Sequence, residues 1–293
     1  MEIAIISGKG GTGKSSISAA FATLQNEIVL ADCDVDAANL YLLFNPVCDN
    51  EYIFVSGQKA KINQEKCNSC GVCIDYCRFD AIFKKGHKVN ISETLCDGCL
   101  LCSRICPRKA IDIVNEDKSR MYTGFFKNGR MVYGRLAPGE ENSGRLVNLV
   151  REKAKQIAKE AGISNIIIDG PPGIGCPVIS SITGVDAVLI VTEPTMSGLH
   201  DLKRTLEITA GFKLNTSVII NKFDINISMT SRIETYCYQN DIKLIGKLQF
   251  DPLIVEAMVN CQSIIDYAPD SDISKRIRNS YSKLLQFNLI DKI

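Results

Sequence analysis

Two cysteine quartets limit what this chain can fold into more than any other feature of its sequence. The first lies within residues 67–77 (CNSCGVCIDYC) and the second within residues 96–106 (CDGCLLCSRIC), which Pro107 follows. Both have the spacing C-x2-C-x2-C-x3-C, which is typical of [4Fe–4S] clusters. In two-cluster proteins the fourth cysteine of each run binds the other cluster. This rule assigns the eight thiols to two clusters, one with Cys67, Cys70, Cys73 and Cys106 and the other with Cys96, Cys99, Cys102 and Cys77.

Clustered cysteines also form disulfide frameworks and zinc sites. Disulfides are typical of secreted proteins, whereas this chain starts with the strand-like sequence Met-Glu-Ile-Ala-Ile-Ile instead of a basic and apolar leader. A zinc site uses cysteine pairs separated by about a dozen or more residues, so it leaves two cysteines of each quartet unexplained. Two iron–sulfur clusters are the interpretation that uses all eight cysteines.

The cysteine-rich segment, residues 57–115, resembles bacterial-type ferredoxin domains. The resemblance implies an inserted α+β domain that carries two [4Fe–4S] clusters. One departure is Arg78 after Cys77, a position where that family usually has proline. If Arg78 points toward the neighbouring cluster, its positive charge is expected to raise the reduction potential of that cluster.

Composition and charge restrict the class of protein. A chain of 293 residues, 45% of them hydrophobic, is long enough for one large domain and a small one. The net charge of +1 gives no general attraction to nucleic acid or to anionic lipid. No apolar run approaches the roughly 18–20 residues of a membrane-spanning helix. Thirteen cysteines in a chain without a leader are typical of a reducing cytosol, so we expect a cytoplasmic protein without nucleic-acid or membrane partners.

A glycine-rich loop follows the first apolar strand, residues 2–6, and precedes a helix that reaches about residue 24. The loop, residues 8–15, reads GKGGTGKS. A strand, a glycine loop and a helix in this order are the context of a phosphate-binding loop, whose backbone N–H groups surround phosphate oxygens. Lys14 is expected to neutralise the β- and γ-phosphates of ATP or ADP, and the Ser15 hydroxyl to bind Mg²⁺. The residues expected to bind the nucleotide here are Gly8, Gly10, Gly11, Thr12, Gly13, Lys14, Ser15 and Ser16.

A second lysine in the loop, Lys9, makes the sequence resemble the deviant phosphate loop of the MinD/ParA family. That family includes nitrogenase iron protein and the Mrp-type cluster-assembly ATPases. The resemblance implies an ATPase that forms a homodimer, in which Lys9 reaches the nucleotide of the partner subunit and stabilises charge in the transition state. The alternative is a solvated loop lysine.

Two acidic segments resemble the switch regions of this family. In the first, residues 32–36 (DCDVD), the resemblance assigns Asp34 to orienting the attacking water and Asp32 to an indirect contact with Mg²⁺. The alternative is that these acids only cap the helix that follows, as Asp36 is placed to do. In the second segment, residues 169–173 (DGPPG), the resemblance implies that Asp169 holds Mg²⁺ through water. The amide of Gly173 is expected to sense the γ-phosphate.

Buried β-branched runs at residues 185–192 and 214–220 alternate with helical segments, which predicts a doubly wound, mostly parallel α/β sheet with ligands at the carboxyl ends of its strands. The expected ATPase domain comprises residues 1–56 and 116–293, interrupted by the ferredoxin-like insert 57–115. The resemblance also implies base-binding residues after two late strands: Asn221, Lys222, Asp251 and Pro252.

The insert lies in the sequence between the two switch segments, which are expected to move when the γ-phosphate is lost. The first hypothesis is therefore a dimeric ATPase that couples its nucleotide state to electron transfer, with a redox protein as partner. An iron–sulfur delivery factor with a cluster-accepting partner is the second. Cys237 and Cys261 do not form the C-terminal C-x-x-C pair of such relatives. A positioning ATPase like MinD and ParA is the third.

Overall fold

The computed structural model describes residues 1–290, and the side chains of residues 1–287. The chain divides into two compact units. The first comprises Met1–Glu51, Tyr122–Gly134 and Ser143–Ile293, and the second comprises Tyr52–Met121 and Arg135–Asn142. The expected insert 57–115 lies within the second unit, which is larger than the sequence indicates.

Thirteen strands and eleven helices make up the described chain. The strands are β1 (Glu2–Ser7), β2 (Ile28–Asp32), β3 (Val47–Phe54), β4 (Gly57–Ile62), β5 (Ile82–Lys85), β6 (Lys88–Ile91), β7 (Ile111–Glu116), β8 (Ser119–Phe126), β9 (Gly129–Arg135), β10 (Ile166–Pro172), β11 (Ala187–Thr192), β12 (Thr216–Asn221) and β13 (Lys243–Leu248). The helices are α1 (Lys14–Thr23), α2 (Leu40–Phe44), α3 (Val72–Asp75), α4 (Leu101–Ile105), α5 (Ser143–Ala161), α6 (Cys176–Ile182), α7 (Met196–Gly211), α8 (Ile227–Gln239), α9 (Pro252–Val259), α10 (Ile264–Tyr267) and α11 (Asp272–Ile290). None of the helices in residues 1–290 is long and apolar enough to cross a membrane.

The first unit is built on a nine-stranded sheet in the order β13-β12-β11-β1-β10-β2-β9-β8-β3. Every pair from β13 to β9 is parallel. Its central strands are fully buried apolar runs, such as Ala187–Thr192, because helices cover both faces of the sheet. The expectation of a doubly wound, mostly parallel α/β sheet is confirmed.

Side chains that alternate along each strand supply two hydrophobic layers. Ile5 of β1 joins one buried layer with Phe21 of α1 and Ile277 of α11. Its neighbour Ile6 is equally buried and faces the opposite side, because successive residues of a strand point to opposite faces. On that side, α5 and α6 contact β2 and β10. The phosphate loop therefore leaves the centre of a rigid sheet.

A hairpin extends this sheet beyond β2. Strands β8 and β9 are neighbours and are joined by two residues, 127 and 128. Gly129 has φ +149°, and a Cβ there would lie 2.1 Å from the carbonyl oxygen of Ile28. Only glycine permits this close approach of β9 to β2, which accounts for the Asn-Gly sequence at the turn.

The second unit has an α+β architecture. Strands β4 and β7 pair in antiparallel fashion from Gly57 opposite Glu116 to Ile62 opposite Ile111, and β5 pairs with β6 as a hairpin. Helices α3 and α4 include the third cysteine of each quartet, Cys73 and Cys102. Its small core consists of Ala60, Cys73, Ile82, Val89 and Ile111.

The segment Arg135–Asn142 belongs to the second unit, although the sequence placed it in the ATPase domain. The reason is the buried carboxylate of Glu140. It accepts hydrogen bonds from the Ser56 hydroxyl at 3.0 Å, from the Lys118 amide at 3.0 Å and from the Ser119 amide at 3.1 Å. These bonds satisfy a carboxylate that would otherwise be buried at a large cost.

A buried ion pair ties β1 to the helices that cover it. The Arg151 side chain is 4% exposed, with Nη2 2.8 Å from Glu2 Oε1 and Nη1 donating to the Ser180 and Thr183 carbonyls at 2.6 and 2.9 Å. Glu2 Oε2 also lies 2.9 Å from Lys155 Nζ, whose side chain is 47% exposed. Both cations therefore contact the Glu2 carboxylate, Arg151 in the interior and Lys155 near the surface.

We expect Arg151→Met to reduce the free energy of unfolding by about 3–5 kcal/mol, because it leaves the Glu2 carboxylate buried without its inner partner. Lys155→Met is the matched control, and its exposed pair contributes less than about 1 kcal/mol. Urea denaturation of both variants measures the difference. Equal losses of unfolding free energy in the two variants would show that burial of an ion pair does not determine its contribution to stability.

Candidate functional site

The main cavity of the first unit lies at the carboxyl ends of central strands. Its volume is about 620 Å³, within the roughly 300–1,000 Å³ of small-molecule sites. It opens where β1, β2, β10 and β12 end, which is the usual ligand position in an open α/β sheet. Among the predicted residues it is lined by Gly10, Gly11, Thr12, Gly13, Lys14, Ser15, Ser16, Asp34, Asn221, Lys222 and Asp251.

The end of β12 supports the glycine loop. Asn221 Nδ2 donates to the Thr12 carbonyl at 2.8 Å, and Lys222 Nζ donates to the Gly11 carbonyl at 2.9 Å. Gly13 has φ +89°, and a Cβ there would lie 2.3 Å from Asn221 Nδ2. Glycine at residue 13 is therefore required both by the backbone conformation and by the packed amide.

A buried charge cluster lies beneath the loop. Lys14 Nζ is 2.8 Å from Asp169 Oδ1 and 3.8 Å from Asp34 Oδ2. The Ser15 hydroxyl donates to Asp169 Oδ2 at 2.7 Å, and the Ser18 hydroxyl donates to Asp169 Oδ1 at 2.6 Å. Asp169 thus joins the second switch segment to the start of α1. Ser18 has no place in the loop motif, so sequence reasoning missed it.

Burial and mutual repulsion shift the protonation of this cluster. Burial and the neighbouring Asp169 raise the pKa of Asp32 to about 7, although Lys14 acts in the opposite direction. Burial also raises the pKa of Asp34, against the effect of Lys14. For Lys14, burial lowers the pKa, but Asp169 and Asp34 outweigh it and raise the pKa above its usual value. The lysine therefore remains charged while one carboxyl group keeps a proton near neutral pH.

Asp32 also has a structural role at the first switch segment. Its carboxylate accepts from the amides of Asp34 at 3.2 Å, Asn39 at 3.2 Å and Leu40 at 3.1 Å. Asp32, not Asp36, thus satisfies the first amides of α2, so the expectation that Asp36 caps this helix is wrong. Asp34 lines the cavity, whereas Asp32 and Asp169 are fully buried below it.

Lys9 is held within its own chain. Its Nζ lies 2.6 Å from Glu193 Oε1 and donates to the hydroxyls of Ser197 at 3.0 Å and Thr195 at 3.3 Å. Glu193 Oε2 is also 3.5 Å from Lys222 Nζ. Lys9 is therefore a partly exposed lysine with partners in its own chain.

Other predicted residues have different positions. The Gly173 amide donates to the Ser7 carbonyl at 2.8 Å, so it is engaged with the phosphate loop strand. Asp251 caps α9 by accepting from the Leu253 amide at 3.0 Å. Gly8, Lys9, Gly173 and Pro252 are not among the residues that line the cavity.

One side of the cavity is apolar, and sequence reasoning missed it. The residues that form this wall are Phe250, Ile254, Val255 and Met258. The sequence indicates them only weakly, because they lie beside the Asp251-Pro252 pair, in or next to the short helix α9, and belong to no phosphate-binding motif. Their side chains supply the hydrophobic surface typical of a small-molecule pocket.

Two small cavities in the second unit are each lined by four cysteines. The first is lined by Cys67, Cys70, Cys73 and Cys106. The second is lined by Cys77, Cys96, Cys99 and Cys102. Each set combines three cysteines of one quartet with the fourth of the other, which is the division that the spacing rule assigns.

Metal binding by these thiols depends on the shape of the bound group. Within residues 1–290, no group of three or more His, Cys, Asp or Glu side chains is placed to hold a metal ion. All thirteen cysteines are free thiols, so no disulfide framework is formed. A zinc ion requires its ligands to converge on one point, whereas a cubic cluster binds each thiolate through a different iron and needs sulfurs around a cavity. The two cysteine-lined cavities fit the second requirement.

The thiols are crowded within each set, and Cys73 is also buried. Burial, followed by the nearby Cys96 and Cys99, raises the pKa of Cys102 to about 11. Burial also raises the pKa of Cys73, and the other three cysteines of its set act in the same direction. Binding of any metal group here must therefore displace protons. Arg78 is exposed, with its guanidinium carbon 5.1 Å from the centre of the Phe79 ring, and does not line a cysteine cavity.

Comparisons of this sequence with known protein families agree with the nucleotide-site geometry. The family model described as the CobQ/CobB/MinD/ParA nucleotide-binding domain matches residues 3–264. The chain belongs to this family. The protein MJ0578 of Methanocaldococcus jannaschii is 36% identical over 294 residues, which cover 98% of this chain and 97% of that protein. MJ0547 of the same organism, described as an ATP-binding protein, is 24% identical over 292 residues, 97% of this chain and 87% of that protein.

Solved structures of the family share the fold. MinD of Pyrococcus horikoshii, in complex with Mg-ADP, has a TM-score of 0.58 at 18% identity and covers 97% of this chain and 95% of its own. A ParA-family ATPase of Chlorobium tepidum has a TM-score of 0.55 at 18% identity, with coverage of 96% and 98%. These descriptions do not mention iron–sulfur clusters, so the ferredoxin-like insert remains a prediction.

The raised pKa of Asp32 predicts a pH dependence of stability. Between about pH 4 and 7 the folded chain retains a proton that the unfolded chain has released, so this group makes the folded state less stable as pH rises through that window. We expect Asp32→Asn to flatten the decline in the free energy of unfolding between pH 5 and 7, measured by urea denaturation without added nucleotide. Asp36→Asn, at an exposed position of the same segment, is the control. Parallel pH curves for Asp32→Asn and the unsubstituted protein would refute the assignment.

Proposed function

We propose that this chain is an ATP-hydrolysing, dimerising switch protein that carries two [4Fe–4S] clusters and couples its nucleotide state to electron transfer. Family membership supports the ATPase part of the proposal. The single observation that supports the clusters is the division of eight cysteines between two cavities, in the combination that a two-cluster protein uses.

The charge cluster under the loop suggests how nucleotide would be received. A phosphate group would compete with Asp169 for Lys14, and a magnesium ion would compete for the carboxylate that now accepts from Ser15. Released from that bond, the Ser15 hydroxyl would bind Mg²⁺, and Asp169 and Asp32 would contact the ion through water. Asp34, at the cavity surface, is placed to orient an attacking water. MinD of P. horikoshii binds Mg-ADP, and we extend that ligand to this chain by similarity.

The base would occupy the apolar side of the cavity. The Asn221 Oδ1 atom is buried and accepts no hydrogen bond from the described residues. An amide oxygen without a donor costs free energy, and the amino group of adenine would supply one. Lys222 and Asp251 border the same region.

Lys9 would act in a homodimer. Its ion pair with Glu193 shows that the side chain already has an acidic partner, which a phosphate of the second subunit would have to replace. A cation that arrives from the partner subunit stabilises the charge of a phosphoryl transition state, as an arginine finger does. Dimerisation would then switch hydrolysis on.

In the second unit, Cys67, Cys70, Cys73 and Cys106 would hold one cluster, and Cys96, Cys99, Cys102 and Cys77 the other. Such clusters carry single electrons, and the protein sets their potentials through charge, hydrogen bonds and exposure. Cys70 and Cys99 are the exposed members of the two sets. A soluble redox protein would approach the two clusters most closely at these exposed cysteines.

A positioning ATPase like MinD and ParA is the second candidate, because the solved structures with the same fold carry those names. The comparisons favour this function over electron transfer, and the cysteine cavities favour the reverse. A delivery factor has weaker support, because Cys237 is buried and Cys261 is remote in sequence from it. Iron content and redox behaviour separate these candidates.

We expect anaerobically purified protein to contain about eight irons per chain, as two cubic clusters require. Cys70→Ser and Cys99→Ser each weaken one site and reduce the iron and sulfide content. Cys261→Ser, at an exposed cysteine outside both sets, is the control and leaves the content unchanged. About four irons or fewer in the unsubstituted protein, or zinc in their place, would remove the electron-transfer proposal and leave the positioning ATPase.

The same preparation tests the coupling. We expect a non-hydrolysable ATP analogue with Mg²⁺ to change the midpoint potentials, or the rate of electron transfer to an acceptor. Identical values with and without the analogue would show that the two activities are independent. Incubation with an apo-acceptor protein distinguishes delivery, because delivery transfers iron and electron transfer leaves it bound.

Complementation tests the role of Lys9 in the partner's site. We expect Lys9→Ala and Asp34→Ala each to lower ATP hydrolysis strongly, by a factor of up to about 10³–10⁵ for the lost cation. An equal mixture restores up to about a quarter of normal activity, because half of the dimers are mixed and each has one complete site. Mixing the Asp34→Ala protein with Lys14→Ala instead measures the background. No recovery above that background would show that Lys9 does not act across a dimer.

A further inference from the structure

The two cysteine cavities differ in the charge of their linings. The quartets align as an internal repeat, in which Asn68 corresponds to Asp97 and the residue after the Cys106-Pro107 pair, Arg108, corresponds to Phe79. All four of these residues line cavities: Asn68 and Arg108 the first, Asp97 and Phe79 the second. The first lining therefore contains a cation and a neutral amide where the second contains an aromatic ring and an anion.

Hydrogen bonds to sulfur differ in the same direction. The Ser69 amide donates to Cys67 Sγ at 3.4 Å, and the Ala110 amide donates to Cys106 Sγ at 3.3 Å. In the second set, a hydrogen bond from the Ser103 amide lowers the pKa of the Cys102 thiol. Amides that point at a sulfur ligand stabilise the more negative, reduced form of a bound cluster. The hydrogen bonds and the charges of the linings therefore favour the same order of potentials.

Other charged residues nearby lie outside the two linings. Arg108 and Asp97 are themselves exposed, but each lines a cavity, whereas the likewise exposed Lys66, Asp75, Arg78, Asp80, Arg104 and Lys109 line neither. Arg78 is the cation next to the second set in sequence, and its guanidinium carbon lies 5.1 Å from the centre of the Phe79 ring, so the ring that lines the second cavity separates it from the cysteines. Water screens all of these exposed charges, so their effect falls with distance, and the two charges that belong to the linings act most directly on the contents of the cavities.

We propose that the two cluster sites are unequal: the site of Cys67, Cys70, Cys73 and Cys106 has the higher reduction potential, set by Arg108. The site of Cys77, Cys96, Cys99 and Cys102 has the lower potential, set by Asp97. This inference rests on the proposed presence of two clusters. A one-electron reductant then reduces the first site before the second, with no bond made or broken, and an electron passes downhill from the second site to the first. The difference in reduction potential therefore sets the direction of electron transfer between the two sites.

Charge-neutralising substitutions in the full-length protein test the assignment. Arg108→Gln is expected to lower the higher of the two midpoint potentials, and Asp97→Asn to raise the lower one. We expect changes of about threefold to tenfold in the reduction equilibrium constant, roughly 30–60 mV for a one-electron couple. Lys85→Gln, an exposed residue of β5 that lines neither cavity, is the control and leaves both potentials unchanged.

Redox titration with dithionite, followed by electron paramagnetic resonance, gives both potentials, and iron analysis of each variant shows that both clusters are present. A single potential for both sites in the unsubstituted protein would overturn the inference, as would an effect of Arg108→Gln on the lower potential. If Lys85→Gln shifts the midpoint potentials as much as the other two substitutions, the potentials depend on the total charge of the protein and not on the lining of each cavity. Protein with eight irons but no such asymmetry contradicts this inference alone, whereas protein without iron contradicts the proposed function.

Discussion

The geometry of the first unit depends on one buried contact, the ion pair between Lys14 and Asp169. Its 2.8 Å distance joins the phosphate loop after β1 to the end of β10, the neighbouring parallel strand. Neither side chain can be buried alone, because an unpaired charge in this interior is unfavourable by several kcal/mol. The pair therefore aligns two loops at the sheet edge and holds the Lys14 ammonium group where an anion would bind.

Much of this arrangement follows from sequence because the physical constraints are local. Gly13 must adopt a positive φ, Lys14 opens a helix, and buried β-branched runs form parallel strands, so the loop and sheet were predictable from residue order alone. The pairing of Cys106 with the first quartet was also predictable, since the rule needs only spacing. These features depend on residues that lie close together in the chain or repeat with a fixed period.

What the sequence did not predict depends on contacts between distant residues. Asp32, instead of Asp36, satisfies the amides at the start of α2, because the buried end of β2 directs its carboxylate toward them. Glu140 draws the segment 135–142 into the second unit through bonds to residues more than twenty positions earlier. The pairing of Lys9 with Glu193 spans most of the chain. Short motifs carry no information on such partners.

Both loop lysines share a property that bears on how a family ATPase of this kind is controlled. Lys14 is paired with Asp169, and Lys9 with Glu193, so under the proposed function each cation has a carboxylate that a phosphate would have to displace. Binding is then an exchange of partners, and it shifts a conformational equilibrium only as far as phosphate is preferred over each carboxylate. Asp169 lies in the second switch segment and Glu193 precedes α7, so in the proposed function the exchange would release two separate elements. Hydrolysis would return the lysines to these carboxylates, because the loss of one phosphate would weaken the competitor at both positions.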